Sequence, residues 1–511
     1  MRQILITAFL EGLTVLVIEI AGARALAPFF GTSLYVWTAT ITATLLFLAL
    51  GYGLGGRLSQ RGPMALPIVF WVAGAWLAAY PFWRGALLSA LTGLGVSVGA
   101  FVASAWLFGP PLTCLGAVSP LLIHRLGQDG VEGGRAAGSL FLTNTLGGLA
   151  GGWLTALVLL PMFPLRLVLA GAGAALVVIG GYWAKREGKA TPMVVLLVAS
   201  AALAGFAPKP ANKLKSFLAD GPVTRVTHRA QSATGLVQVL EVPGAMRMML
   251  IDGVVQGGMD LESGASRFPM SEYMSFLAHR YHPEAKTALL LGLGCGVLAK
   301  TMAKMGVEVT AVEIEKEVAD ASRKFFGLPD SVRIAVEDAR TFVANDTKHY
   351  DVIVLDAYAG ETSPWYLLTR EGLTAIRDRL APGGRMVVNC VTMANGQTEG
   401  LKRLEAGLLD VFGEALVFIE PRLPHEQQML VNATLVAGKN LVASDKPYPG
   451  KPSRMVAPFL GDLRALEPLP ARRGGHIDTD DHSSLDYVEG NVRLRWRDTV
   501  IAVLGPDILQ D

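Results

Sequence analysis

The chain has 511 residues, room for more than one domain at about 150 residues each, and its 45 Lys and Arg nearly balance 43 Asp and Glu, for a net charge of +2. That balance, without a basic stripe interleaved with aromatics, gives no argument for a nucleic-acid partner. Three cysteines (Cys114, Cys295, Cys390) exclude a disulfide scaffold, and neither they nor the eight histidines show metal-ligand spacing.

A mean hydropathy of +0.40 is high for a soluble protein, and the excess comes from the first part of the chain. Residues 1–207 are mostly apolar, whereas 212–511 have ordinary soluble character. Crossing a bilayer takes ~20 mostly apolar residues. Such runs lie at about 4–27, 34–57, 65–83, 97–124, 139–160, 164–184 and 191–207. Residues 84–124 could hold two crossings broken at Gly109-Pro110-Pro111, so seven or eight spans are expected. Met1–Leu10 does not read as a secretory signal, because it continues into the first span without a small-residue cleavage site. Glu11 and Glu19 stand eight apart in that span, on roughly one helix face, with Arg24 just beyond. A buried Glu–Arg pair and a polar or cation-conducting cavity are both open readings. Gly147, Gly148, Gly151 and Gly152 would let helices approach closely. Loop charge does not decide the orientation.

After a short polar linker, Val223–Gly258 reads as strands, with alternation in GLVQVLEV, a turn at Pro243-Gly244, then MRMMLIDGVVQ. The expected domains are 1–208 (transmembrane), 209–260 (linker and small β-domain) and 261–511 (α/β domain). From residue 287 strands alternate with helices: 287–293, 307–313, 332–336, 351–356, 385–391, 415–419 and 429–436. Such alternation predicts a mostly parallel sheet covered on both faces, with ligands bound beyond the carboxyl ends of its strands.

The stretch 287–315, TALLLGLGCGVLAKTMAKMGVEVTAVEIE, is the start of such a nucleotide site. Gly292, Gly294 and Gly296 permit a tight turn and close approach of a ligand, and Glu313 closes the next strand, where a carboxylate can accept both hydroxyls of a ribose. Asp338 follows the third strand, where an acid can accept from an adenine amino group or merely cap a helix. Asp356 follows the fourth, near the glycine turn and the reacting end of an adenosine-type ligand. Cys295 reads as a small residue filling the turn, since no histidine is placed beside it.

IDGVVQ at 251–256, LLGLGCG at 290–296, VEIE at 312–315, EDAR at 337–340, DAY at 356–358 and APGG at 381–384 fall in the order found in spermidine synthases (aminopropyltransferases). GLTVLVIEIAGAR, FLALGYGLGGRLSQR, GRAAGSLFLTNTLGG and HIDTDDHSSLDY are similar to the membrane-fused members. The resemblance implies an N-terminal multi-span helical bundle, then a small β-domain and a Rossmann-like α/β transferase domain of the class that uses S-adenosylmethionine. It implies S-adenosylmethionine or its decarboxylated form as substrate, with no metal. By similarity Gly292, Gly294 and Gly296 cradle the nucleoside and its tail, Glu313 the ribose, and Asp338 and Ala339 the adenine, with Gln256 facing the sulfonium tail. Asp356 matches the acid that positions and deprotonates the attacking amine, with Glu272, Tyr273 and Tyr358 on the acceptor side.

Departures accompany the likeness. Cys295 stands where the family usually has an acid for the aminopropyl amine, the motif after the fourth strand reads Asp356-Ala357-Tyr358-Ala359 where the family usually offers a further acid followed by proline, and the lid segment reads SRFPMSEYMSFLAH. The expected partners are an amine substrate, the lipid bilayer and a second copy of the chain, with no nucleic acid. The expected location is the inner membrane with the catalytic domain in the cytoplasm. A methyltransferase on the same sheet, and a transporter or sensor with Glu11 and Glu19 as pore acids, are the alternatives.

Overall fold

A computed structural model describes residues 1–31, 34–94, 96–188, 212–214, 222–232, 235–358, 364–419, 430–454, 456–457 and 468–483. The chain divides into two compact units at residues 211/212.

The first unit is helical: α1 (Arg2–Phe30), α2 (Leu34–Leu58), α3 (Ala65–Leu91), α4 (Val96–Gln128), α5 (Gly133–Leu154) and α6 (Leu165–Arg186). A π-helical turn at Thr155–Leu159 carries α5 on to Met162. Six of these helical segments are long and apolar enough to cross a membrane. The expected run at 191–207 lies outside the described residues. Gly109-Pro110-Pro111 does not break the chain into two crossings: α4 runs straight through it. Helices pack here by backbone approach, which only small residues allow. A Cβ on Gly12 would sit 2.1 Å from the carbonyl of Asn144, and one on Gly147 2.0 Å from that of Phe9, so α1 and α5 touch along their main chains. Glu11 is 2% exposed on that seam. Among the described residues its carboxylate accepts hydrogen bonds from Ser119 on α4, at 3.3 Å, and from Asn144 on α5, rather than from an arginine.

The second unit opens with a five-stranded antiparallel meander: β1 (Lys213–Leu214), β2 (Thr224–Gln231), β3 (Leu236–Val242), β4 (Met246–Ile251) and β5 (Val254–Asp260). The β3–β4 connection turns at the expected Pro243-Gly244. The β4–β5 hairpin uses Asp252-Gly253, both at positive φ (46° and 81°), the pair that a two-residue type I′ turn demands. That turn sets Gln256 on β5.

An eight-stranded mixed sheet follows, ordered β13-β11-β12-β10-β9-β6-β7-β8. Its parallel part comprises β6 (Thr287–Leu291), β7 (Glu308–Glu313), β8 (Arg333–Val336), β9 (Tyr350–Leu355) and β10 (Leu380–Met393). Strands β11 (Glu414–Ile419), β12 (Leu430–Gly438) and β13 (Leu469–Pro470) join antiparallel. Helices α7 (Pro269–Tyr281) and α8 (Val297–Lys304) cover one face, and α10 (Ala339–Asn345), α11 (Trp365–Leu368), α12 (Arg370–Arg377) and α13 (Glu399–Phe412) the other. This is a Rossmann-like fold of the class I methyltransferase type. Leu289, Leu290 and Leu291 at its centre are fully enclosed, each contributing about 1.5–3 kcal/mol by burial. The meander packs Val237, Val239, Met249 and Ile251 against α9 (Lys316–Phe326) and Cys295, which seats its last strand over the glycine turn.

Candidate active site

Parallel pairing of β6 with both β7 and β9 brings three carboxyl ends to one edge, with Leu291 opposite Val312 and Leu355. The chain changes direction in the sheet at this point, and such a crevice holds ligands in open α/β sheets. Gly292 has φ +100°, and a Cβ on it would lie 2.3 Å from the carbonyl oxygen of Asp356. Gly294 has φ +53°, with the Gln256 carbonyl 2.9 Å from the place of its missing Cβ. The glycines therefore let both β9 and the meander close on the turn.

Glu313 ends β7 half-buried. Its Oε2 accepts from the amides of Leu293 (3.2 Å) and Gly294 (3.4 Å), and its Oε1 from that of Glu315 (3.1 Å). Burial pushes this carboxyl up, and the three amides oppose the shift. Both oxygens are held in place and retain lone pairs for a vicinal diol.

Asp356 retains some accessible surface, although protein encloses it closely, and burial pushes its pKa up. Its Oδ1 accepts from Asn389 Nδ2 at 2.7 Å, which partly opposes that shift. Asn389 sits on β10, next to the strand that leads into Asp356, and its own Oδ1 is enclosed without a partner among the described residues. Tyr358 closes the cluster, donating from its hydroxyl to the Asn389 carbonyl at 3.2 Å. Sequence reasoning missed Asn389. The available signal was a lone amide in the apolar run MVVNCV, at the carboxyl end of a parallel strand.

Asp338 caps α10, its Oδ1 accepting from Thr341 N at 2.9 Å, while Oδ2 accepts from the Tyr366 hydroxyl at 2.9 Å. Ala339 is the first residue of α10, where a backbone N–H has no partner within its helix. The Gln256 side chain donates to the Val254 carbonyl at 3.3 Å. Burial, followed by the neighbouring Asp338, pushes Tyr366 up to about 12, so its hydroxyl stays a donor.

The structure does not bring Glu272 and Tyr273 to this cluster. Glu272 is 1% exposed, and its carboxylate accepts from Tyr448 at 2.9 Å and Thr301 at 3.4 Å. The Tyr273 ring is 2% exposed and meets Phe418 edge-on within the core. Cys295 is buried in the apolar cluster under the meander, and burial pushes its thiol up to about 11, so it is not poised as a thiolate.

Residues 267–419 match the model of the spermine/spermidine synthase domain. A probable polyamine aminopropyl transferase of Bifidobacterium longum is 34% identical over 131 residues, covering 25% of this chain and 29% of that protein. An N-terminal histidine N-methyltransferase of Emericella nidulans is 29% identical over 198 residues, covering 34% and 35%. Polyamine aminopropyltransferase 1 of Aquifex aeolicus is 30% identical over 143 residues, covering 26% and 49%. The chain thus spans less than half the length of each of these relatives.

Proposed function

We propose, from the spermine/spermidine synthase domain carried by residues 267–419, that the second unit is a transferase of the aminopropyltransferase type. It takes S-adenosylmethionine or its decarboxylated form as substrate and releases methylthioadenosine. Glu313 receives the ribose hydroxyls, Asp338 and the amide of Ala339 the adenine, and the glycine turn with Gln256 the sulfonium tail.

Chemistry then falls to Asp356. A neutral amine attacks the propyl carbon attached to sulfur, a C–N bond forms, and the C–S bond breaks with its electron pair going to sulfur. The ammonium so formed passes its proton to the Asp356 carboxylate. Burial brings that carboxyl closer to working pH, as a general base requires, while Asn389 fixes one of its oxygens. The observation that carries the reading is the Asp356–Asn389 pair beside the glycine turn.

Cys295 supplies no charge for the amine of a decarboxylated tail, so both forms of the sulfonium substrate are included. The acceptor is an amine of the polyamine class, or an internal group giving cyclisation or cleavage. The helical unit is read as membrane-embedded, with the second unit in the cytoplasm and a homodimer as the assembly. Glu272 and Tyr273 serve the acceptor side by fixing α7 rather than by touching the amine.

A second reading, methyl transfer, is favoured by the N-methyltransferase relative. Mass spectrometry of the products from purified full-length protein, with each sulfonium substrate and with or without putrescine, tests both. Methylthioadenosine supports propyl transfer or cleavage, and putrescine dependence supports a polyamine acceptor. S-adenosylhomocysteine would overturn the first reading in favour of the second.

A further inference from the structure

The segment 474–483 is rich in acids, and the reaction described above makes no use of it. It is anchored on the sheet face that carries the adenine acid. Asp478 is 3% exposed, its side chain accepts from Arg403 at 3.2 Å, and its carbonyl accepts from Arg370 N at 2.8 Å. Two residues on, Asp480 N donates to Glu371 Oε2 at 2.9 Å. The Asp480 carboxylate, on a side chain 46% exposed, reaches back to the fold. Oδ1 accepts from Thr369 Oγ1 at 2.6 Å and Oδ2 from Arg340 Nη2 at 2.8 Å.

Arg340 carries the connection further. Its Nη1 donates to the Tyr366 carbonyl at 2.8 Å, and a Cβ on Gly372 would lie 2.5 Å from that nitrogen, so the guanidinium fills a slot that a larger residue would block. Tyr366 belongs to the four-residue α11, too short to hold itself in place. Its hydroxyl reaches Asp338. Hydrogen bonds therefore tie Asp480 to Arg340 and Arg340 to the Tyr366 main chain, and the Tyr366 side chain carries the connection to the Oδ2 of Asp338.

We infer that Asp480 is a positioning residue for recognition of the adenine amino group, acting through Arg340 and Tyr366 on Asp338. The inference rests on the nucleoside reading given above. A carboxylate with Oδ1 committed to its helix cap and Oδ2 pinned by Tyr366 presents the lone pair left on each oxygen in a fixed direction. Freed of Tyr366, the same carboxylate rotates about its terminal bond and loses that direction.

Calorimetry with full-length protein tests this, using 5′-methylthioadenosine and 5′-methylthioinosine, which carries an oxygen in place of the amino group. Wild type is expected to prefer the adenine nucleoside by about tenfold, since a site built to accept a donor is left unpaired by an analogue lacking it. Asp480→Asn and Tyr366→Phe should each reduce that preference to about twofold, with methylthioinosine affinity unchanged. Asp480→Glu, which keeps the charge, should restore part of it. Equal weakening of both nucleosides in the variants would overturn the inference and leave Asp480 a purely structural role, as would an unchanged preference. Absence of any preference in wild type would instead remove the adenine role of Asp338 itself.

Discussion

Asn389 donates its side-chain N–H to Asp356 Oδ1 at 2.7 Å, from a strand that lies parallel to and beside the one leading into that carboxylate. Thirty-three residues separate the two in sequence. One amide thereby orients the carboxylate and supports its ionised form in a site where burial disfavours charge.

Asp356→Asn removes the base while keeping the shape. Methylthioadenosine formation is expected to fall by about 10²–10⁴-fold, the usual contribution of a positioned general base, with little change in affinity for the sulfonium substrate. Single-turnover product analysis alongside calorimetry checks both halves. Turnover within threefold of wild type would remove Asp356 from the reaction.

The same substitution should stabilise the protein. A carboxyl whose pKa is raised on folding contributes stability that is present below its unfolded pKa and lost as pH rises through the folded value. At pH 7 wild type carries that penalty and Asp356→Asn does not. The variant is therefore expected to melt a few degrees higher at neutral pH, for a gain of about 1 kcal/mol, with the gap narrowing towards pH 4. Scanning calorimetry from pH 4 to 8 reads it, and a gap independent of pH would contradict the assignment.

Asn389→Leu removes the hydrogen bond that lowers the Asp356 pKa while burial continues to raise it. Because Asp356 must be ionised to accept a proton, kcat/KM should rise with pH through its pKa. In the variant this acidic limb moves to higher pH. A profile that loses height without shifting would mean that Asn389 acts on orientation alone.

Glu313→Ala removes a carboxylate already held by three backbone amides and left with lone pairs for the ribose. Affinity for methylthioadenosine should drop more than tenfold, ~1.4 kcal/mol or more. Equal affinities by calorimetry would exclude the ribose role.

Gly292→Ala puts a methyl group 2.3 Å from the Asp356 carbonyl at φ +100°. Strain and clash together should cost about 2 kcal/mol or more and displace the end of β9. Thermal melting and nucleoside binding should both suffer, and a variant with wild-type melting and affinity would show that the turn has slack.

Local chemistry made much of this protein legible in its sequence. The apolar runs long enough to cross a bilayer, the alternation of strands and helices from residue 287, and the turn at Pro243-Gly244 each depend on backbone and side-chain preferences within a few residues. Glu313, Asp338 and Asp356 could be read as sharing one edge because parallel strands all point their carboxyl ends the same way. Contacts across the sheet were not legible, since they depend on strand order and on which face of a helix turns inward. Asn389 meets Asp356 only because β10 lies beside β9, Asp480 reaches Arg340 across 140 residues, and Glu272 and Tyr273 face the core because α7 presents that side to the sheet. Position along a strand is a property of the chain, whereas the direction in which a helix buries its side chains is decided by everything packed against it.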